Sequence, residues 1–202
     1  MRQAQRVSIS RGNRKLGGIM NVSLVPVECC PAGVPCANEG CYALKAYRLY
    51  PATRRAWNRN ARIARTNPRS YFQQIEEAIA KSKPRYFRWH VAGDILNTNY
   101  LHRMCRIATK FPRTKFLAFT KAFNIVNAYE DKKRLPPNLV VVFSAWPRMS
   151  VDNRREHRIA WMQDGTESRV PPDSVRCLGH CETCAVCFSS PKSGPDVVFH
   201  EH

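Results

Sequence analysis

The chain has no apolar run approaching the roughly 18 residues that a membrane-spanning helix needs, so no membrane span is expected. Its opening residues are basic but lack the apolar centre of a secretory signal, which predicts a cytoplasmic protein. Acidic residues are scarce, 15 against 33 Lys and Arg. No Walker loop and no dinucleotide fingerprint occurs, which argues against the common nucleotide-hydrolase and dehydrogenase classes. No strand-turn-helix elbow surrounds Ser144, so a serine hydrolase is rejected. The lack of an obvious carboxylate cluster weighs against a metal-dependent nuclease, and no internal repeat is visible.

What is present begins with 202 residues, 44% hydrophobic and 24% charged, ordinary values for one globular domain with a small appendage. The formal net charge is +18. A compact body so charged attracts polyanions, and nucleic acid, DNA or RNA, is the expected partner. The densest basic stretch includes Arg48, Arg54, Arg55, Arg59 and Arg62, with Tyr47, Tyr50 and Trp57 interleaved. Guanidinium forks suit phosphates. The aromatics either stack on bases or pack a helix onto the core.

Nine cysteines are distributed unevenly. An odd number in a cytoplasmic protein argues against a disulfide framework. Cys177, Cys181, Cys184 and Cys187 form a C-x3-C-x2-C-x2-C string near the end. Short turns between thiolates let four of them converge on one zinc or iron–sulfur centre. Near the start, Cys30, Cys36 and Cys41 form C-x5-C-x4-C. Three thiolates leave a site one ligand short, either open and reactive or completed from elsewhere and structural. Cys29 and Cys105 are read as packing residues, and His180 as a bystander.

The hydrophobic pattern predicts strands over 19–24, 86–91, 115–120, 138–144, 158–162 and 197–199. Helices are expected over 42–65 with a bend at Pro51, and over 69–81, 98–110 and 125–133. Alternating strands and helices imply an α/β fold, either a partial (β/α) barrel or an open, mostly parallel sheet. The expected organisation is a basic arm over 1–17, the α/β domain over 18–170 and a cysteine-rich tail over 171–202 packed on it. In such folds sites form at the carboxyl ends of strands. The first cysteine loop, Gly93-Asp94, Thr120-Lys121 and Ser144 all fall there. Arg88 and His90 should share one face of their strand, in a pocket or in water at an edge, with Trp89 and Val91 on the other. Gly93 would allow close approach by a ligand, and Asp94 would hold an amine or hydroxyl. The Arg148–Arg158 stretch reads as a solvated charged loop that could also touch phosphate.

Together these segments resemble the gene product 88 family of phage and mobile-element proteins. The matching parts are Cys30-x5-Cys36-x4-Cys41-Tyr42-Ala43, Arg88 through Asp94, Phe119-Thr120-Lys121, Phe143-Ser144 and the tail through Val198-Phe199-His200. The resemblance implies a phage-encoded protein in the host cytoplasm and says little about activity. More distantly, the pattern resembles radical S-adenosylmethionine enzymes, which carry three cysteines after the first strand of a partial barrel. That resemblance implies a [4Fe-4S] cluster on Cys30, Cys36 and Cys41, and S-adenosylmethionine near Tyr42, Arg88, His90, Gly93 and Asp94. The spacing differs, since the family's usual C-x3-C-x2-C occurs here only at Cys177, Cys181 and Cys184. The alternative is a non-catalytic iron–sulfur or zinc protein that binds nucleic acid.

Overall fold

The computed structural model describes residues 6–189 and 194–200. The first five residues of the basic arm, and 190–193 and 201–202 of the cysteine-rich tail, lie outside the described residues.

Seven parallel strands form one open sheet in the order β1-β2-β3-β4-β5-β7-β6. They are β1 (Met20–Val22), β2 (Tyr86–Trp89), β3 (Lys115–Thr120), β4 (Leu139–Ala145), β5 (Ile159–Gln163), β6 (Val175–Arg176) and β7 (Val197–His200). The sheet does not close into a barrel. The longer helices are α1 (Tyr42–Leu49), α2 (Pro51–Thr66), α3 (Pro68–Ser82), α4 (Thr98–Lys110) and α5 (Phe123–Glu130), and a single turn, α6 (Cys181–Cys184), lies in the tail. Strands one to five neighbour each other in chain order. Right-handed crossovers between them therefore place the helices on one face.

Side-chain alternation agrees with that placement. Phe87, Trp89, Phe116, Ala118, Leu139, Val141 and Phe143 pack with Phe72, Ile75, Ile79, Leu101 and Met104 of α3 and α4. The intervening Leu117, Val140 and Val142 pack on the opposite face with Leu16, Ile19 and Phe188, so the arm and the tail cover that side. The arm is anchored elsewhere too. Asn60 of α2 accepts from the Ser8 amide at 2.8 Å and donates to the Ser8 and Ser23 carbonyls.

Pro51 does not bend one helix; it starts a second. Tyr50 takes extended backbone (ψ 98°) and Pro51 occupies the first turn of α2. The ring disfavours helical geometry in the residue before it and supplies no amide to the preceding turn. Asn67 caps α3 by accepting from the Ser70 amide at 3.1 Å, with Pro68 in the first turn. The two-residue β6 carries too little pattern to be read from sequence. It joins the sheet only through β7.

The Arg148–Arg158 stretch is not wholly a solvated loop. Arg158 is 3% exposed. It donates to the carbonyls of Pro195 at 3.0 Å and Val186 at 2.9 Å, tying the tail to the leading edge of β5. His157 stacks on Phe143 and bonds Glu130.

Candidate functional site

The carboxyl edge of the sheet brings together the segments that extend beyond its first four strands. After β1 the chain stays buried through Val25 and then turns, and the Cys30 amide closes that turn on the Val27 carbonyl at 3.1 Å. Cys36 lies in a short 3-10 turn over Pro35–Ala37, and Cys41 immediately precedes α1. Cys29 is 3% exposed within the core, as expected of a packing residue, and so is Cys105 at 4%. Cys29 also serves the site, because its carbonyl accepts the Asp94 amide at 2.8 Å.

Asp94 is the hub of this edge. One carboxylate oxygen accepts from the Thr120 hydroxyl at 2.5 Å and the Ile95 amide at 2.7 Å, and the other accepts from the Lys121 amide at 2.8 Å. Burial pushes its carboxyl above the usual range, while these bonds and the Lys121 charge pull it back down. The Lys121 ammonium donates to the Ser144 hydroxyl at 2.9 Å and also bonds the Cys36 thiol. Trp146 donates to Glu39 at 2.8 Å, joining the β4 end to the cysteine loop. No sequence signal pairs Glu39 with Trp146, which are 107 positions apart.

Cys30, Cys36 and Cys41 share this environment. Burial pushes the Cys30 thiol up to about 12, and the charges of Asp94, Cys36 and Cys41 push the same way. Burial also raises Cys36, against the lowering effect of Lys121. Cys41 also raises Cys36. Among the described residues, however, no group of three or more His, Cys, Asp or Glu converges closely enough to hold a metal ion as the side chains stand.

The β2 end departs from simple alternation. His90 comes directly after the last strand residue with φ +52°, a left-handed conformation uncommon outside glycine. That one residue reverses the facing of the chain beyond it. Arg88 lies on the tail-covered side, its guanidinium 4.3 Å from the Phe119 ring centroid. His90 instead turns to the helices, its Nε2 3.0 Å from the Tyr100 hydroxyl. Val91 joins Arg88's side. Arg88 and His90 therefore do not share a face. Burial first, and then the Arg88 charge, pull the His90 pKa down to about 3, so it is neutral at ordinary pH. Gly93 is required by its own chain. Its φ is +75°, and a Cβ there would sit 2.6 Å from the Leu24 Cβ. The close approach is by the end of β1 rather than by a ligand. Tyr42 opens α1 and donates its hydroxyl to the Val91 carbonyl at 2.5 Å; the residue as a whole is exposed, while burial of the phenol end raises its pKa.

The tail thiols gather on the opposite face. Cys181 and Cys187 pack against the second core, and Cys177 comes directly after β6. Cys184 closes α6 and is exposed. Burial raises Cys181 and lifts Cys187 to about 11. Arg88 pulls both back, helped by Lys15 at Cys181 and by Arg158 at Cys187. Arg88 is 8% exposed, and its Nε has no acceptor. A buried cation so placed calls for an anion. Neutral thiols do not supply one, and thiolates do. Lys15 and Arg158 are distant in sequence, and nothing in the cysteine spacing points to them. The Cys181 amide ties α6 to the arm by donating to the Lys15 carbonyl at 2.9 Å, and Glu182 accepts from the Gly18 amide just beyond it at 2.8 Å.

Arg48, Arg54, Arg55, Arg59 and Arg62 all lie on α1 and α2, and all five are exposed. Tyr47 and Trp57 stack on each other, with centroids 6.3 Å apart, and pack against the core. Both therefore pack, while remaining half-buried. Tyr50 alone of the three stays 59% exposed.

Fold and site define an open, all-parallel α/β protein with two thiol groups, one at the strand ends and one against the sheet face opposite the longer helices. A family model described as gene product 88 matches residues 3–191, and the chain belongs to that family of phage gene products. No curated protein and no solved structure matches it. No helix among the described residues is long and apolar enough to cross a membrane.

Proposed function

We propose that this is an iron–sulfur protein whose first cysteine loop holds a site-open [4Fe-4S] cluster that binds S-adenosylmethionine and acts on nucleic acid. What supports this reading is that Cys30, Cys36 and Cys41 all belong to the loop between β1 and α1 at the carboxyl edge of a parallel sheet, near Asp94 and Lys121, and the thiols would have to draw closer to share a cluster. Three soft donors are the right number for a cluster that keeps one position open, and a bound metal takes coordinating thiols as thiolates. When bound, such a cluster supplies one-electron chemistry to its ligand. The protein's own residues do the rest. Asp94 pins the ends of β2 and β3, Lys121 offsets thiolate charge at Cys36, and Tyr42 ties α1 to β2 through Val91.

The tail favours a different role. Four thiols are the right number for a closed iron or zinc centre that fastens the tail to the sheet, and the charges of Arg88, Lys15 and Arg158 near Cys181 and Cys187 support that reading, though the four side chains would have to draw together to form it. If both centres were of that kind, the protein would be a non-catalytic nucleic-acid-binding phage protein.

The test is anaerobic reduction and then an assay for conversion of S-adenosylmethionine to 5′-deoxyadenosine. Wild type is expected to cleave the cofactor, and Cys36→Ala to lose that activity. An iron-loaded wild type that leaves the cofactor intact would overturn the catalytic reading. Nucleic-acid affinity should fall steeply with salt, and affinity indifferent to salt would contradict phosphate-dominated binding.

A further inference from the structure

A cleft of about 570 Å³ opens beside Cys30 on the helix-covered side of the sheet. That volume lies within the range of roughly 300–1,000 Å³ typical of small-molecule sites. The cysteine loop, the end of α2 and the starts of α3, α4 and α5 enclose it. Its floor is apolar, from Phe72, Ile95 and Ile125. Its polar groups differ in what they already do. Asn97 is spent capping α4, accepting the Tyr100 amide at 2.8 Å. Arg65 is spent on Glu28, binding both its carboxylate and its carbonyl. Asn99 and Asn124 are exposed, and among the described residues their side chains make no hydrogen bond. Arg103 lies with its guanidinium 5.9 Å from the Phe72 ring centroid and forms no ion pair among the described residues. Its Nε is buried without an acceptor.

An unpaired guanidinium, two free amides and an apolar floor form a combination with a definite complement. The guanidinium suits a phosphate, the amides suit the donor and acceptor edge of a base, and the floor suits a flat ring. The cleft also continues a charged track. Arg55, Arg59 and Arg62 recur at i, i+4 and i+7 along α2, and Arg65 stands one turn further on at the cleft wall.

We propose that this cleft binds one nucleotide unit, with its phosphate on Arg103 and its base edge on Asn99 and Asn124. This deepens the nucleic-acid reading above and rests on it for the partner class. The unit arrives either as a free nucleotide or as part of a strand led along α2.

The test uses the full chain, purified without oxygen, with adenosine 5′-monophosphate and a single-stranded adenine 12-mer as probes. Calorimetry and fluorescence anisotropy read binding, and iron and sulfide are measured on the same samples. Arg103→Gln is expected to weaken mononucleotide binding about tenfold or more, and Asn124→Ala roughly threefold to tenfold. Arg103→Lys should recover part of the loss. For the strand, Arg103→Gln should reduce the slope of log affinity against log salt by about one. Binding of the mononucleotide but not the strand would make free nucleotide the ligand. Asn124 is exposed, so its variant tests the cleft even if Arg103→Gln folds poorly. Affinity unchanged in both variants would overturn the proposal, as would inorganic phosphate competing as well as the nucleotide. Protein without iron that still binds nucleotide through Arg103 would sink the cluster reading and leave this one standing. Iron-loaded protein whose nucleotide binding ignores both variants would do the reverse.

Discussion

Replacing Asp94 tests whether its carboxylate organises the strand ends. In Asp94→Ala, the Thr120 hydroxyl and the Ile95 and Lys121 amides lose their acceptor together. Thr120 is 1% exposed and Asp94 4%, so water does not readily replace it. Each stranded buried donor costs about 1–3 kcal/mol, which puts the whole loss near 3–6 kcal/mol after partial relaxation. Asp94→Asn keeps one acceptor oxygen but turns a donor group toward the Lys121 amide, and should lose about 1–3 kcal/mol. The assay is equilibrium urea unfolding of the full chain in reducing buffer, comparing wild type with both variants and with Thr120→Val. The reasoning fails if Asp94→Ala lies within about 1 kcal/mol of wild type, or if Asn costs as much as Ala. Either result would mean that the carboxylate is not the common acceptor of these three groups.

Gly93→Ala should lose about 2–4 kcal/mol, because the new methyl meets the Leu24 Cβ at 2.6 Å in a left-handed conformation. Thermal unfolding reads this, and a wild-type midpoint would refute it. The buried Glu167 carboxylate accepts from the Arg169 amide at 3.0 Å and Nε at 2.8 Å, and these bonds hold its pKa below the ordinary 4.5. A folded-state pKa below the unfolded one gives stability that is present above pH 4.5 and lost as pH falls through the folded value. Glu167→Gln should therefore cost about 1–3 kcal/mol at neutral pH, with the gap to wild type closing in acid. A gap independent of pH would count against the ion pair.

Elements with strong periodicity were legible in sequence to within a residue or two. Thr98–Lys110 and Lys115–Thr120 fall where their patterns put them. So does the convergence of four strand ends on one edge, because a parallel sheet places every connecting loop of that kind on the same side. Three features were not legible, each for a physical reason. Pro51 ends one helix and begins another, and an amphipathic pattern running through both hides the break. His90 adopts φ +52°, so period-two reasoning assigns it and Val91 to the wrong faces; no residue-type signal marks a histidine for the left-handed region. Arg158 looks solvated because its stretch is dense in charge, yet it is buried by backbone carbonyls of the tail, which no pattern of side chains announces. The thiol groups show the same division. Their membership comes from spacing, while the cations that face them come from Lys15, Arg88, Lys121 and Arg158, scattered along the chain.

The central claim is that the first cysteine loop holds an iron–sulfur cluster. It is tested most directly by iron, sulfide and zinc analysis of the anaerobically purified chain beside a Cys30→Ala, Cys36→Ala, Cys41→Ala triple variant. The account predicts iron and sulfide in the wild type, about four of each belonging to the loop, lost in the triple variant while the metal at the tail remains. Zinc alone in the wild type, or iron unchanged in the triple variant, would contradict it.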